Sequence, residues 1–494
     1  MSDAKNILLF CGDHMRHDAL ACNGNPFVKT PNLDRLAAGG VNFANSFTPN
    51  PICVPARASM ATGNYPHKAT GIKDNGGKIR DDQAKMAEHF VQHGYDTYAI
   101  GKLHYVPYSP PGQPRLLHGF QYCELCESGR AVKQFDPEGK QRGIEDFHDY
   151  LHDVGWGGYE RAHMIGNNDI HPAPSPLPAE HHEEAWVATR TIAALQRHLD
   201  EKPGRPFLMW SSFAKPHSPY DPPRPWDTMY DPRDLTEPVG SLADLEGRDV
   251  ELTRRPWRYG WDRVSPEAVQ VARAHYFGMV SFQDHQVGRV LGFLDEAGLA
   301  DNTIIAYMSD HGDLLGDFGN FFKCSFFDGS VRVPFIWRVP GVAEAGRTRR
   351  HLVGPLDLLP TLCGLTGCDL PQPVDGDDLS DILRSDDAPG REYFVSQTWD
   401  APEQKYMVRT HEWKYVYCEE GGTEELYDVK SDPQELRNVA ADNALTVERL
   451  RGLLIEWCID NGDEQMVKDG QLVESPVKED PRQFQDRIMG WRWY

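Results

Sequence analysis

Cys53-Val-Pro-Ala-Arg57 sets a sulfur nucleophile and a planar cation four residues apart, with a proline between them where a helix can begin. The spacing predicts Cys53 just before a helix N-terminus, where backbone N–H groups and the helix dipole favour anions. Arg57 then lies one turn on and can present its fork to an oxyanion. By themselves a cysteine and an arginine so arranged are more often an ordinary buried helix start. Other residues give the segment company: Asp13-His14, Lys102 with His104, His217, and Asp310-His311. Carboxylates and imidazoles can hold a divalent metal, while lysines and histidines can balance charge and move protons at an ester oxygen.

Each of these closely follows a strand-like run. Residues 6–11, 95–100, 206–212 and 303–309 read as short buried strands, and 31–39, 82–93, 183–199 and 267–298 as helices. Short apolar strands alternating with longer helices predict an α/β fold on a mostly parallel sheet flanked by helices. In such sheets chemistry gathers at the carboxyl ends of the strands, so the residues above are candidates for one site. Proline-rich stretches at 107–114, 172–178 and 219–232 read as loops over those ends. After Asp357-Leu-Leu-Pro-Thr-Leu362 the pattern turns polar, then shows strands at 393–398, 407–409 and 413–418. We expect a catalytic domain over 1–374 and a smaller C-terminal α+β subdomain over 375–494.

The full string Cys53-Val-Pro-Ala-Arg-Ala-Ser-Met-Ala-Thr-Gly63 resembles the signature of type I, formylglycine-dependent sulfatases, Cys-x-Pro-x-Arg followed by Thr-Gly. Gly101-Lys-Leu-His104, Lys215-Pro-His-Ser-Pro219, Ser309-Asp-His-Gly-Asp313 and Val331-Arg-Val-Pro-Phe-Ile336 resemble further blocks of that family. So do Asp357-Leu-Leu-Pro-Thr-Leu362, Glu425-Leu-Tyr-Asp428 and Asp432-Pro433. The resemblance implies an alkaline-phosphatase-like fold, in the arylsulfatase and phosphonate monoester hydrolase branch of that superfamily. It implies that a formylglycine-generating enzyme oxidises Cys53 to an aldehyde. One hydroxyl of the hydrated aldehyde would attack sulfur, and the second would then expel sulfate. Asp13, His14, Asp310, His311 and modified Cys53 would hold one divalent ion. His14 departs from the commoner Asp or Gln; with both imidazoles bound, Mn2+ competes with Ca2+. Arg57, Lys102, His104, His217 and Lys323 complete the catalytic set. Of these, Lys102 and Lys323 would face the sulfonyl oxygens, His217 the leaving oxygen and His104 a hydroxyl proton. Asn75 falls where related hydrolases place a substrate-binding Asn.

These implications converge on a sulfuric ester hydrolase of arylsulfatase type, probing small monoanionic esters and promiscuous toward phosphonates or phosphodiesters. The alternative is a phosphonate monoester hydrolase on the same site; Lys102 favours the former, and the short chain with His311 leans to the latter. A minor alternative is a non-catalytic oxyanion binder with Cys53 unmodified. The 51 Lys and Arg against 74 Asp and Glu give a net charge of −23, which disfavours nucleic acid and anionic membranes as partners. No membrane-length apolar run and no leader pattern is visible at Met1, so a cytoplasmic location is expected. Ten cysteines in a chain of 494 are no disulfide framework. Cys123-Glu-Leu-Cys126 lacks a second pair for zinc, and there is no Gly-x-Ser-x-Gly elbow. The aromatic tail Ile488-Met-Gly-Trp-Arg-Trp-Tyr494 suggests docking on its own chain or on a second subunit of a homo-oligomer.

Overall fold

The computed structural model describes residues 5–105 and 108–478. The terminal aromatic run and Pro107 of the first proline-rich stretch therefore lie outside the described residues. Eight strands form the central sheet: β1 Asn6–Asp13, β2 Val41–Ser46, β3 Asp96–Gly101, β4 Tyr122–Leu125, β5 Phe207–Pro216, β6 Thr303–Ser309, β7 Phe335–Arg338 and β8 Arg347–Val353. Their order is β4-β3-β5-β1-β6-β7-β2-β8, with β7 running against its two neighbours and the other pairs parallel.

Strand side chains alternate between two cores. Leu8 and Phe10 of β1 pack on one face, and Ile7, Leu9 and Cys11 on the other. The first face is covered by the helices Glu183–Glu201 and Pro266–Glu296, the second by Cys53–Thr62 and Leu358–Thr366. Both faces being buried explains why these strands read as continuous apolar runs. The segment after Asp375 first contributes Leu379, Ile382 and Leu383 to the second core. A four-stranded antiparallel sheet then follows, with β9 Phe394–Thr398, β10 Lys405–Arg409, β11 Trp413–Cys418 and β12 Thr423–Asp428 in the order β12-β11-β10-β9. The helix Ala444–Asp460 packs Leu450 and Leu454 against it.

The helix Glu183–Glu201 starts at His182, whose ring accepts the Glu184 N–H at 3.2 Å. Burial pushes this imidazole down to about 4 from 6.5. The unfolded chain thus takes up a proton below 6.5 that the folded chain refuses, so stability is lost as pH falls from 6.5 toward 4. The loss reaches about 3 kcal/mol. His182→Asn keeps an acceptor at the helix start and is expected to flatten that part of a stability-against-pH curve from urea denaturation. A wild-type minus variant difference that does not change with pH would refute the assignment.

Among the described residues all ten cysteines are free and no helix is long and apolar enough to cross a membrane.

Candidate active site

The strands β3, β5, β1 and β6 are consecutive neighbours, and their carboxyl ends carry Lys102 and His104, His217, Asp13 and His14, and Asp310 and His311. The register of β1 on β5 slips between Cys11 and Asp13, an irregularity that re-aims Asp13 at the mouth of the sheet. His14 and His104 both leave their strands with positive φ, 66° and 53°, a conformation that a non-glycine residue holds only when its surroundings impose it. Gly101 has φ +96°, and any Cβ there would overlap the carbonyl of Ser212 on the next strand. The glycine before Lys102 is therefore a packing requirement.

The helix Cys53–Thr62 begins at Cys53 itself, with Ile52 as its N-cap. The expectation that the helix begins at Pro55 with Cys53 just before it is corrected by two residues: Pro55 sits third, where the N–H it lacks would have had no intrahelical partner. All ten residues are buried, and Gly63 closes the helix with φ +72°. Thr62 turns its hydroxyl back to Ala58 O at 2.9 Å, so Thr62-Gly63 serves as a helix stop.

Cys53 Sγ accepts from Lys323 Nζ at 2.8 Å and lies 3.2 Å from His311 Nε2 and 3.7 Å from Asp13 Oδ1. Lys102 Nζ bonds to Asp13 Oδ2. Arg57 donates through Nε to Asp310 Oδ2 at 2.7 Å and through Nη1 to Lys102 O and Ser212 Oγ at 3.1 and 3.0 Å. The His217 ring lies against that of His14, centroids 4.0 Å apart and planes tilted by 52°, and donates through Nδ1 to Ser218 O at 2.7 Å. His104 lies beside Cys53, and its Nδ1 is buried without a partner among the described residues. Asn75 caps this helix: its Oδ1 accepts the Val54 N–H at 3.1 Å. All eleven predicted site residues thus gather around one helix start, Asn75 at the rim.

The donors suit a divalent ion. His14 Nδ1 donates to Asp313 Oδ2 at 2.9 Å and His311 Nδ1 to Gly312 O at 3.0 Å, which leaves both Nε2 lone pairs facing Cys53. One ligand atom from each of Asp13, His14, Cys53 and His311 lies within 4.8 Å of the others. Asp310 adds Oδ1, 3.8 Å from His311 Nε2. Lys323 Nζ currently donates to His14 Nε2 at 2.7 Å.

The electrostatics are set by buried charges of both signs. Burial pushes the Cys53 thiol up, but Lys323, Lys102 and His311 outweigh it and hold the thiol well below its usual range. Burial and the Cys53 sulfur push Asp13 up, and Lys102 and His217 more than reverse this. Burial, then His14 and Lys323, drive His217 well below the imidazole range. Burial pushes Lys323 and Arg57 down in turn, but Asp13, Asp310 and the Cys53 sulfur hold them up, so buried cations and anions compensate each other around the helix start.

Sequence reasoning missed the residues that hold the others. Buried Glu127 accepts the Leu103 and His104 N–H groups, both at 2.8 Å, and so fixes the Lys102–His104 turn. Asp313 orients His14; its place in Ser309-Asp-His-Gly-Asp313 was the available signal. Arg130 donates from Nη2 to His217 Nε2 at 3.2 Å, and no local pattern marks it. The Cys126 thiol lies buried beside Glu183 at 3.7 Å, away from any second cysteine pair.

Buried cations gathered at a helix start on the carboxyl edge of a mostly parallel sheet, with metal donors beside a nucleophile, are the equipment of a hydrolase of oxyanion esters. The profile described as Sulfatase matches residues 5–368, and one described as N-sulphoglucosamine sulphohydrolase, C-terminal, matches 316–454. An arylsulfatase of Clostridium perfringens is 32% identical over 489 residues, covering 95% of this chain and 97% of the relative. A choline-sulfatase of Rhizobium meliloti is 31% identical, covering 88% and 82%. The fold is similar to the crystal structure of the phosphonate monoester hydrolase of Agrobacterium radiobacter, with TM-score 0.78, 24% identity and 92% and 96% coverage. The chain belongs to the sulfatase family, in the alkaline phosphatase superfamily, and is a sulfuric ester hydrolase.

Proposed function

We propose that the chain is a formylglycine-dependent arylsulfatase-type enzyme that cleaves small sulfate monoesters, with Ca2+ or Mn2+ held by Asp13, His14, Asp310, His311 and modified Cys53. The observation that carries this reading is the convergence of Lys323, His311 and Asp13 on Cys53 Sγ at the first residue of a buried helix. The oxidised, hydrated side chain and the ion would together supply a hard oxygen nucleophile at neutral pH.

The chain's own residues do the rest. Arg57 fixes Asp310 against the site floor through the 2.7 Å bond from Nε. Lys323 and Lys102 present ammonium groups to the non-bridging oxygens, where charge shifts as the ester breaks. His217, anchored through Nδ1, turns Nε2 toward the leaving oxygen. His104 keeps an unpartnered Nδ1 in the pocket, a position from which it can take a hydroxyl proton. Glu127 holds that turn in register.

The same apparatus suits a phosphonate monoester, which carries one negative charge around a tetrahedral centre. The likeness of fold to phosphonate monoester hydrolases and the imidazole of His311 favour this second reading. Lys102, buried against Asp13, favours the first. The protein with Cys53 fully converted is expected to give a higher kcat/KM on 4-nitrophenyl sulfate than on 4-nitrophenyl phenylphosphonate, with both measurable. A clear preference for the phosphonate reverses the order of the readings.

A further inference from the structure

Arg130 is a cation at this site that pairs with neither a carboxylate nor the Cys53 sulfur among the described residues. Arg57 is bonded to Asp310, Lys102 to Asp13 and Lys323 to Cys53 Sγ. Arg130 instead donates from Nη1 to Glu127 O at 3.0 Å and from Nη2 to His217 Nε2 at 3.2 Å. Its other N–H groups have no acceptor among the described residues, and the side chain is only half-buried, so they remain open to a ligand.

The turn that carries it is held at each step. Arg130 opens the helix Arg130–Phe135. The fully buried carboxylate of Glu145 accepts the N–H groups of Glu127 and Gly129 at 3.2 Å and of Ala131 at 3.1 Å. Ser128 O accepts from Arg161 Nη2 and Asn167 Nδ2, each at 3.2 Å, and Ser128 Oγ donates to Glu183 Oε2 at 2.9 Å. A guanidinium fixed in this way is pre-organised, so a ligand that meets it does not bear the cost of ordering it.

Its position defines what it meets. His217 Nε2 faces the leaving oxygen in the reading above, so a guanidinium 3.2 Å from it, at the edge of the Asp13–Cys53 cluster, is within reach of the alcohol part of the ester. We propose that Arg130 is a specificity-determining residue that binds a carboxylate on the alcohol, close to the ester carbon, so that the preferred substrates are sulfated carboxylic acids. The proposal rests on the ester-hydrolase reading for the placement of the leaving group. A planar fork with unused donors matches a carboxylate in a way that a point charge does not. A single added charge also agrees with a net charge of −23, which repels polyanions from the outer surface but not a small dianion from a pocket lined with buried cations.

The test compares 2-carboxyphenyl sulfate with its neutral isostere 2-carbamoylphenyl sulfate. Binding is read by calorimetry in a metal-loaded Cys53→Ala background, where no turnover occurs, and kcat/KM in the converted enzyme. With Arg130 present the carboxylate is expected to be favoured by about 10-fold or more, the worth of a charge-assisted hydrogen bond. Arg130→Gln should bring the pair within about 2-fold, the gap that the loss of one such bond leaves, and Arg130→Lys should keep part of the preference. No preference with Arg130 present, or a preference that survives in Arg130→Gln, overturns the proposal. Equal weakening of both esters overturns it too, since it would assign Arg130 to holding His217. Absence of turnover on both esters by fully converted enzyme would instead sink the sulfatase reading, and the binding preference is read without it.

Discussion

Cys53→Ala is expected to remove sulfate ester turnover by on the order of 10⁴-fold or more, the scale on which a covalent nucleophile acts. The fold should persist. Residue 53 is the first of a helix, alanine is the best helix former, and the sulfur contacts charged groups and not the apolar core. Cys53→Ser makes the sharper prediction. Its single hydroxyl can accept the sulfonyl group but has no second hydroxyl to expel it, so turnover should stop after one equivalent of alcohol. A burst of one equivalent of nitrophenol is expected, and mass spectrometry of the peptide containing residue 53 should find the added sulfonyl group. Steady turnover by either variant would end the covalent assignment.

The strands were legible because most are buried on both faces. Residues 303–309 were read to the residue as β6, and the apolar run at 6–11 lacked only its last two positions. Polar residues account for what was not read. β2, Val-Asn-Phe-Ala-Asn-Ser, and β8, Arg-Thr-Arg-Arg-His-Leu-Val, pair with each other at one side of the sheet, where neighbours and not propensity decide their conformation. β5 runs four residues past its predicted end because Glu184, on the helix beneath, accepts the Ala214 and Lys215 N–H groups. The proline-bearing end of β5 carried no period-2 signal. The helix predicted at 82–93 narrows to Met86–Gln92, since nothing apolar secures its first turn.

Legibility of the site followed the same division. Residues proposed to meet the reacting atoms carry their chemistry in their type and in a motif, and on that account Asp13, Cys53, Lys102, His217, Asp310 and Lys323 could be named before the structure brought them together. Residues that hold them do so through the folded chain. Glu127 lies 23 positions from the His104 N–H that it accepts, and Glu145 reaches Arg130 only by fixing the backbone around it. Arg130 meets His217 across 87 positions, a separation that no local pattern encodes. Asn75 was read as a substrate ligand, and the contact it makes in the folded chain is a helix cap on Val54.

Arg57→Lys separates charge from geometry at the site floor. Arg57 is fully buried and splits its donors among Asp310, the Lys102 carbonyl and Ser212, with Nη2 left without a partner among the described residues. One ammonium can reach Asp310 or the other two, but not all three, so a lysine keeps the charge and loses the fork. We expect kcat/KM to fall by about 10²–10³-fold, comparable with losing one oriented donor at a developing oxyanion. Stability should drop by about 1–3 kcal/mol for the hydrogen bonds left unmade. Arg57→Met removes the charge as well and leaves Asp310 uncompensated, which costs about 3–5 kcal/mol in a buried pair. If Asp310 is a metal ligand, bound metal offsets part of that cost. The penalty of Arg57→Met should then be larger after chelation than in the loaded protein, as read by denaturation with and without EDTA. A penalty that is the same in both states would mean that Asp310 answers to Arg57 alone and holds no ion.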